Sequence, residues 1–484
     1  MAPQRSICDW LPAALDLQPG GLPGQLAATS LDHFELLQTP ELWGQDPADN
    51  SYWSGGDGEV SRMPAASRRL VELIEDVVAN AERWLDIAAL QPLASGEFAA
   101  AIRRGLARAA ANRTEPLTVR ILYGRHDYPL HGVVREGEQD FERFVEDLAA
   151  EIPPSAAVRV HGAFLRTWDK WPTPSWNHAK IVAADGRRGI VGGHNLWHDD
   201  YLSFAPVHDV SAFVEGEGVG EAHRFLDVLW AFVAAQAEHP SEHALCHAVC
   251  WSGGEVAAVA SPSPPVLSQP AAMPSACQGA IPVIAVGRLG AGVVPDAKVA
   301  NVAAAATTLV FAQARRSISL SQMDFGIMVE GVNYWREDVV TALAEVLTAP
   351  DRSVEVSLVL SEVGAKVAGG GAYSFGTTYE AIASIIREKI AGRPVTGRMR
   401  LAPIRFSAAG QRWKHDGREL TFCNHAKVWI VDETLLHVGS DNIYPHTLQE
   451  FGYIIDSETI VRDVVRSYWE PLWRFSSQAA IDVC

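Results

Sequence analysis

The chain has 484 residues, 48% of them hydrophobic and 20% charged, which is the composition of a folded globular protein and excludes a disordered one. At roughly 150 residues per domain, that length allows two to four domains or two large ones. Forty Lys and Arg against 58 Asp and Glu leave a formal charge of −18, which opposes a protein that holds nucleic acid through many phosphate contacts, so no nucleic-acid partner is expected.

Residues 1–18 carry Asp9 and Asp16 where a signal peptide would have a basic stretch followed by an apolar one. No run approaches the ~18–20 apolar residues of a transmembrane helix. The chain is therefore expected to be soluble and cytoplasmic as given, and secreted only if a signal peptide lies upstream or has been removed. Apolar positions Leu70, Leu73, Ile74, Val77, Val78 and Ala81 predict a helix over 65–84, followed by strands over 84–89 and 117–123. The run 226–235 has helical spacing and reads as core, with transient contact to a lipid surface left open. His243, Cys246, His247 and Cys250 would share one face of a helix. A single helix cannot wrap four ligands around zinc, so a partly buried helix with incidental cysteines is expected, and no metal. Residues 260–276 have linker composition, with prolines at 262, 264, 265, 270 and 274. Beyond the linker the order recurs: helix 302–314, strand 317–321, helix 339–347, strand 354–360. Two halves, 1–259 and 277–484, joined by the linker 260–276, are the economical division. Alternating helices and strands predict two α/β/α sandwich halves related by a pseudo-two-fold axis, with one composite site at their interface. A monomer is expected.

Each half ends in a matching segment, His178-x-Lys180-x4-Asp185-x6-Gly192-Gly193-x-Asn195 and His425-x-Lys427-x4-Asp432-x6-Gly439-Ser440-x-Asn442. With 16 His, 7 Lys and 27 Asp in the chain, about 0.01 chance copies of His-x-Lys-x4-Asp are expected, so two copies at one spacing carry information. On a strand, residues i and i+2 face the same way, which puts each lysine beside its histidine. Gly192 and Gly193, on the returning strand, are small and would leave room for an anion; Gly439 and Ser440 are the matching structural positions of the second motif. Two imidazoles, two ammonium groups and the carboxamides of Asn195 and Asn442 converging on one point suit a phosphodiester. One histidine attacks phosphorus, and the other protonates the departing alcohol and then deprotonates water or an alcohol acceptor. Lysines and asparagines steady the non-bridging oxygens, and neither a metal nor another cofactor is needed. Asp209 and Glu450 each follow a motif histidine and open an apolar run, which makes them candidates to fix the histidine tautomers. Asp185 and Asp432, at a turn, are expected to bond turn amides or a buried arginine. Cys423 falls on the same face as His425 and is expected to be a packed thiol.

The paired motifs resemble those of the phospholipase D superfamily, and more nearly the bacterial secreted phospholipases D. The likeness extends to Leu36-Leu-Gln-Thr-Pro-Glu-Leu-Trp-Gly44, Ser175-Trp-Asn-His178, Trp197-His-Asp-Asp-Tyr201, Ile281-Pro-Val-Ile-Ala-Val-Gly287, Ser319-Leu-Ser-Gln-Met-Asp324, Gly369-Gly-Gly-Ala-Tyr-Ser374 and residues 439–452, covering both halves. The resemblance implies a phosphatidylcholine-type diester as substrate, hydrolysis to phosphatidic acid, and transphosphatidylation to alcohols. It implies His178 as nucleophile, His425 as general acid, and Trp197, Tyr201 and Tyr373 as aromatics lining the headgroup and acceptor side, where their faces would attract a choline-like cation. The segments 124–129 and 165–174 depart from the relatives. They keep two other readings open: an intracellular transferase moving a phosphoryl-linked group from a soluble diester to a small alcohol, and, less favoured, a nuclease on the same scaffold.

Overall fold

The computed structural model describes residues 6–17, 21–22, 24–46, 64–111, 113–126, 136–168, 174–203, 206–240, 244–258, 280–290, 292–294, 301–367, 371–408, 412–415 and 418–484. The expected linker 260–276 lies outside them.

Two large sheets organise the chain, and seven strands of each follow one order. In the first they run His33–Thr39, Asp209–Glu215, Arg188–Gly192, Lys180–Ala184, Trp84–Leu90, Leu117–Gly124, Val158–Trp168. In the second they run Ile281–Arg288, Glu450–Asp456, Leu435–Gly439, Val428–Val431, Ser317–Ser321, Glu355–Leu360, Arg398–Pro403. The sense matches as well. Trp84–Leu90 and Leu117–Gly124 are parallel, as are Ser317–Ser321 and Glu355–Leu360, while the strands after each motif pair antiparallel. Both faces of the central strands are covered: all seven residues of Trp84–Leu90 are buried, Asp86 included, which pairs with Arg120 and His223.

Helices lie on the outer face of each sheet. Ala65–Ala79 buries Leu70, Leu73, Ile74, Val77 and Val78, and ends where the Asn80 amide bonds the Asp76 carbonyl at 2.8 Å, so the expected helix stops at 79 and the strand starts at 84. In the second half Val302–Gln313, Glu337–Leu347 and Tyr379–Ile390 do the same work. Between the sheets lies a third core, where Ile181, Ala183 and Val210 of the first sheet join Val428, Ile430, Phe451 and Tyr453 of the second. Helix Val219–Glu238 enters this core with Leu226, Leu229, Trp230 and Val233 at 1% exposure or less, which places the apolar face of the 226–235 run in the core.

Two further expectations are corrected. Residues 244–252 form a strand beside Val158–Trp168, so Cys246, His247 and Cys250 do not share a helical face; His247 instead bonds Glu142 at 3.0 Å. The N-terminal segment also leaves its half. Strand Leu26–Leu31 pairs with Ile281–Arg288, and helix Ile7–Ala14 packs in the second half's outer core, its start held by Asp456. A boundary at 259 thus does not describe residues 6–31.

Candidate active site

Two short parallel bridges stitch the halves together. Asn177 pairs with Gln449, with His178 N donating to Gln449 O at 2.8 Å; His208 pairs with Asn424, with His425 N donating to His208 O at 2.7 Å. In a parallel bridge the residues that follow sit side by side. His178 therefore lies against Glu450, and His425 against Asp209.

The side chains complete what the backbone begins. Nδ1 of His178 is 3.0 Å from Glu450 Oε2, and Nδ1 of His425 is 2.7 Å from Asp209 Oδ2. Each carboxylate thus meets the histidine of the opposite half, not the one it follows in sequence. The two imidazole rings meet edge-on, with centroids 6.3 Å and planes 70° apart, and all four residues are at most 5% exposed. With Nδ1 held by a carboxylate, each ring is fixed as the Nδ1–H tautomer and leaves Nε2 free for chemistry.

The asparagine before each histidine anchors the motif. Asn177 Nδ2 donates to the carbonyls of Ala89 and Ala179; Asn424 Nδ2 donates to Ser321 Oγ and the carbonyls of Gln322 and Val359. These two residues were missed from the sequence, although the signal was there: Asn precedes His in both copies. The motif strands begin at Lys180 and Val428, and each lysine amine turns back to the carbonyl of the histidine two residues earlier, Lys180 to His178 at 2.5 Å and Lys427 to His425.

Asp185 and Asp432 play matching parts away from the histidines. The Asp185 carboxylate accepts from the amides of Glu82, Arg83 and Trp84, and that of Asp432 from Arg315, Arg316 and Ser317, all within 2.7–2.9 Å. Each pins the start of the central strand of its own sheet. Both sit at positive φ, 56° and 54°, where Asp and Asn are tolerated.

The small residues serve a different purpose from the one expected. A Cβ on Gly193 would lie 1.9 Å from Asp209 Oδ1, one on Gly192 would strike Ser211, and one on Gly439 would meet Gly452 and Phe451. The space they leave is taken by the neighbouring strand and by the carboxylate that holds His425, not by an anion. Ser440 likewise bonds the backbone of Phe451.

Electrostatics mark the site. Burial, and then the charges of Lys180 and Lys427, push both His178 and His425 well below the ordinary imidazole range. Burial also pushes Lys180 well below the ordinary amine range and Lys427 down to about 8, although Asp209 and Glu450 favour their charge. Burial raises Glu450 to about 7, against the pull of His446 and Lys180. Four groups of cationic type compete for protons in one buried space, and an anion placed among them would relieve the competition. Both amide atoms of Asn442, and Oδ1 of Asn195, are buried without a hydrogen-bond partner. Such groups cost stability unless a ligand or water satisfies them.

The three aromatics are tied into the protein. Tyr201 is fully buried with its hydroxyl 3.1 Å from His425 Nδ1, which makes it a partner of that histidine and not a wall of a headgroup pocket. Tyr373 stands edge-on to His425 with ring centroids 5.2 Å apart, and Trp197 Nε1 bonds the Pro92 carbonyl at 2.7 Å. Cys423 is buried and its thiol is pushed up by that burial, which fits a packed residue. The five described cysteines are free thiols. Asp441, His446 and Glu450 come close enough together to hold a cation, but Arg288 and Arg336 lie 3.4 and 3.8 Å from Asp441 and supply positive charge already. Of the departing segments, 127–129 and 169–173 lie outside the described residues. Among the described residues no helix is long and apolar enough to cross a membrane.

The chain is 28% identical over 487 aligned residues to a phospholipase D of Streptomyces antibioticus, covering 92% of this chain and 81% of that one. No family model matches. Among solved structures, the phosphatidylserine synthase of Haemophilus influenzae Rd KW20 superposes with a TM-score of 0.52 at 12% identity, covering 98% of this chain and 91% of that one. That likeness speaks for the fold.

Proposed function

The chain is a homologue of phospholipase D, and from that premise we propose that it is a phosphodiesterase and transphosphatidylase that cleaves phosphatidylcholine-type diesters to phosphatidic acid and an alcohol through a phosphohistidine. The reading is carried by one observation: two buried imidazoles, 6.3 Å apart between centroids, each held at Nδ1 by a carboxylate from the other half of the chain. A diester held between them would meet one Nε2 on each side of phosphorus. His178 attacks, the P–O bond to the head group breaks, and the His425 imidazolium gives its proton to the leaving oxygen. Water or an alcohol then gives a proton to His425 as it displaces His178 from phosphorus.

The remaining donors have a use in this scheme. Lys180, Lys427, Asn195 and Asn442 would hold the two non-bridging oxygens, and the diester's charge would restore the protons that burial removes from the site. These groups supply the positive charge for which other phosphoryl-transfer enzymes use a metal, so the reaction is read as metal-independent. The common order of the two sheets is read as two copies of one unit about an approximate two-fold axis passing between the histidines.

A second feature favours a lipid over a soluble diester. The hairpin Gly326–Val329 and Val332–Trp335 exposes Met328, Val329, Val332 and Tyr334 at 42–54%. It is joined to the active-site side through Met328 N, which donates to the Phe375 carbonyl two residues from Tyr373. Exposed apolar side chains concentrated beside a catalytic site suit contact with a bilayer surface.

The test is turnover of phosphatidylcholine vesicles with EDTA present, in water and in added ethanol, by wild type, His178→Ala and His425→Ala. Choline release, with phosphatidylethanol formed in ethanol and both lost in the variants, is the expected result. No release by folded wild type sinks the lipid reading and turns attention to soluble diesters; salt-sensitive cleavage of DNA or RNA would replace it with a nuclease.

A further inference from the structure

The two histidines are not equivalently held. Against Nδ1 of His178 stands Glu450, and the next groups, His446 and Asp441, reach it through that carboxylate, His446 Nδ1 lying 3.8 Å from Glu450 Oε1 and His446 Nε2 3.0 Å from Asp441 Oδ1. Against Nδ1 of His425 stand both Asp209 and the hydroxyl of Tyr201, at 2.7 and 3.1 Å. The second arm touches the imidazole itself.

Counting hydrogens fixes the direction of that arm. A tyrosine hydroxyl has one proton and an oxygen that accepts. Tyr373 donates its proton to the Asp200 carboxylate, so towards the neighbouring Tyr201 hydroxyl its oxygen is left as an acceptor. With the Tyr201 proton directed that way, its oxygen shares the N–H of His425 Nδ1 with Asp209. The donors then point one way, from imidazole to carboxylate. The chain is built across the halves: Asp200 and Tyr201 lie on the helical turn His198–Tyr201, and Tyr373 lies on the second-half loop after residue 371. Tyr201 is 0% and Tyr373 4% exposed, so water does not substitute for either.

Hydrogen-bond acceptors that face the charged form of a group favour that form, and more strongly where solvent is excluded. The other charged and titratable groups facing His425 are Lys427 on its own segment, His178 and Lys180 from the first motif, and Asp209 and His194 from the first half. The cations among them oppose its protonation, and the Tyr201 arm works with Asp209 against them. We propose that Tyr201, backed by Tyr373 and Asp200, is a positioning residue that takes up part of the charge of the His425 imidazolium, and so makes His425 the histidine that gives and takes the proton. No proton leaves the chain. The proton delivered to the leaving alcohol comes from His425 Nε2 and is regained from the incoming water or alcohol.

The chemical role rests on the phosphohistidine reading above; the charge on His425 does not, and is measured separately. Imidazole ¹⁵N spectra of ligand-free wild type, Tyr201→Phe and Asp200→Asn, titrated with pH and assigned through His425→Ala and His178→Ala, read each ring directly. The expected result is a His425 midpoint lowered by about half a pH unit or more in Tyr201→Phe and by less in Asp200→Asn, with His178 unmoved. His425 unmoved in both, or His178 moving equally, overturns the proposal. Asp200→Asn, at a partly buried position one step further from the imidazole, keeps the test alive if Tyr201→Phe does not fold. On a diester that wild type cleaves, Tyr201→Phe should lose about tenfold in kcat with an aliphatic leaving alcohol and under twofold with a p-nitrophenol leaving group, which needs no proton. Equal losses would mean that Tyr201 only supports the fold. Wild type that cleaves neither substrate overturns the function proposed above and leaves the ¹⁵N result standing.

Discussion

Glu450 Oε2 lies 3.0 Å from Nδ1 of His178, a residue 272 positions earlier, just before the motif strand of the other sheet. The reciprocal pair, Asp209 and His425, is 216 positions apart. Neither half therefore holds a complete histidine–carboxylate pair. Glu450→Gln and Asp209→Asn keep the shape of the site but let the imidazole take the wrong tautomer. Each is expected to lower kcat by about a thousandfold or more while leaving the circular dichroism spectrum unchanged. Activity within tenfold of wild type in either variant would show that the carboxylate is not an orienting partner.

Much of this arrangement was legible in the sequence, for physical reasons that also mark where legibility stops. Strands 84–90, 117–124, 317–321 and 355–360 were readable because each is a short segment whose buried Leu, Ile and Val stand between turn signals. The motif was readable because it is repeated. The crossing of the carboxylates was not, because it depends on the bridges Asn177–Gln449 and His208–Asn424, which join segments over 200 residues apart and leave no trace in local pattern. Gly193 was read as making room for an anion, whereas it makes room for Asp209, a partner identifiable only once the strands Arg188–Gly192 and Asp209–Glu215 are known to be neighbours. The segment 244–252 misled for another reason. Its cysteines and histidines fall at helical spacing by coincidence, while Val249 and Trp251, both buried, carry the strand pattern that the structure realises.

The pH dependence follows from two groups of opposite type. Glu450 is raised to about 7, so the carboxylate that holds His178 forms as pH rises through that value. Lys427 is lowered to about 8, so its charge is lost as pH rises through that one. A plot of kcat/KM should therefore rise with a limb near pH 7 and fall with a limb near pH 8. Bound diester favours the charged lysine, so the alkaline limb of kcat should lie above that of kcat/KM. Stability runs separately. An acid whose folded value is raised contributes stability that is lost as pH rises through about 7. Glu450→Gln should accordingly gain in thermal midpoint over wild type between pH 6 and pH 8, as it loses activity. A constant difference in midpoint across that range would contradict the burial cost assigned to Glu450.

We assign Asp185 and Asp432 to the fold and not to the reaction. Each carboxylate receives three consecutive main-chain amides at the start of a central strand. Removing one acceptor strands those donors, at a cost on the order of 2–4 kcal/mol for Asp→Ala. Asn keeps the left-handed backbone and one acceptor oxygen, so Asp→Asn should cost about half as much. Urea midpoints should fall in the order wild type, Asp185→Asn, Asp185→Ala, and likewise at 432, with activity per folded molecule within about threefold of wild type. A variant that is fully stable but inactive would move these residues into the chemistry.

The hairpin over residues 326–335 gives a test that separates binding of a surface from the reaction. Val329 and Val332 flank its tip at 49% and 54% exposure, opposite each other in register, and the turn between them is made by Glu330 and Gly331 at φ 50° and 82°. They contribute little to any core, so replacing both by Glu should leave the thermal midpoint within about a degree or two of wild type. Each would then hold a charge where an apolar side chain met lipid. Turnover of phosphatidylcholine vesicles is expected to fall at least about tenfold, through the concentration of lipid needed for half-maximal rate. Turnover of a short-chain diester below its micelle concentration should stay within about twofold. Equal losses on both substrates would place the hairpin in the catalytic architecture, and no loss on vesicles would remove it from the lipid contact altogether.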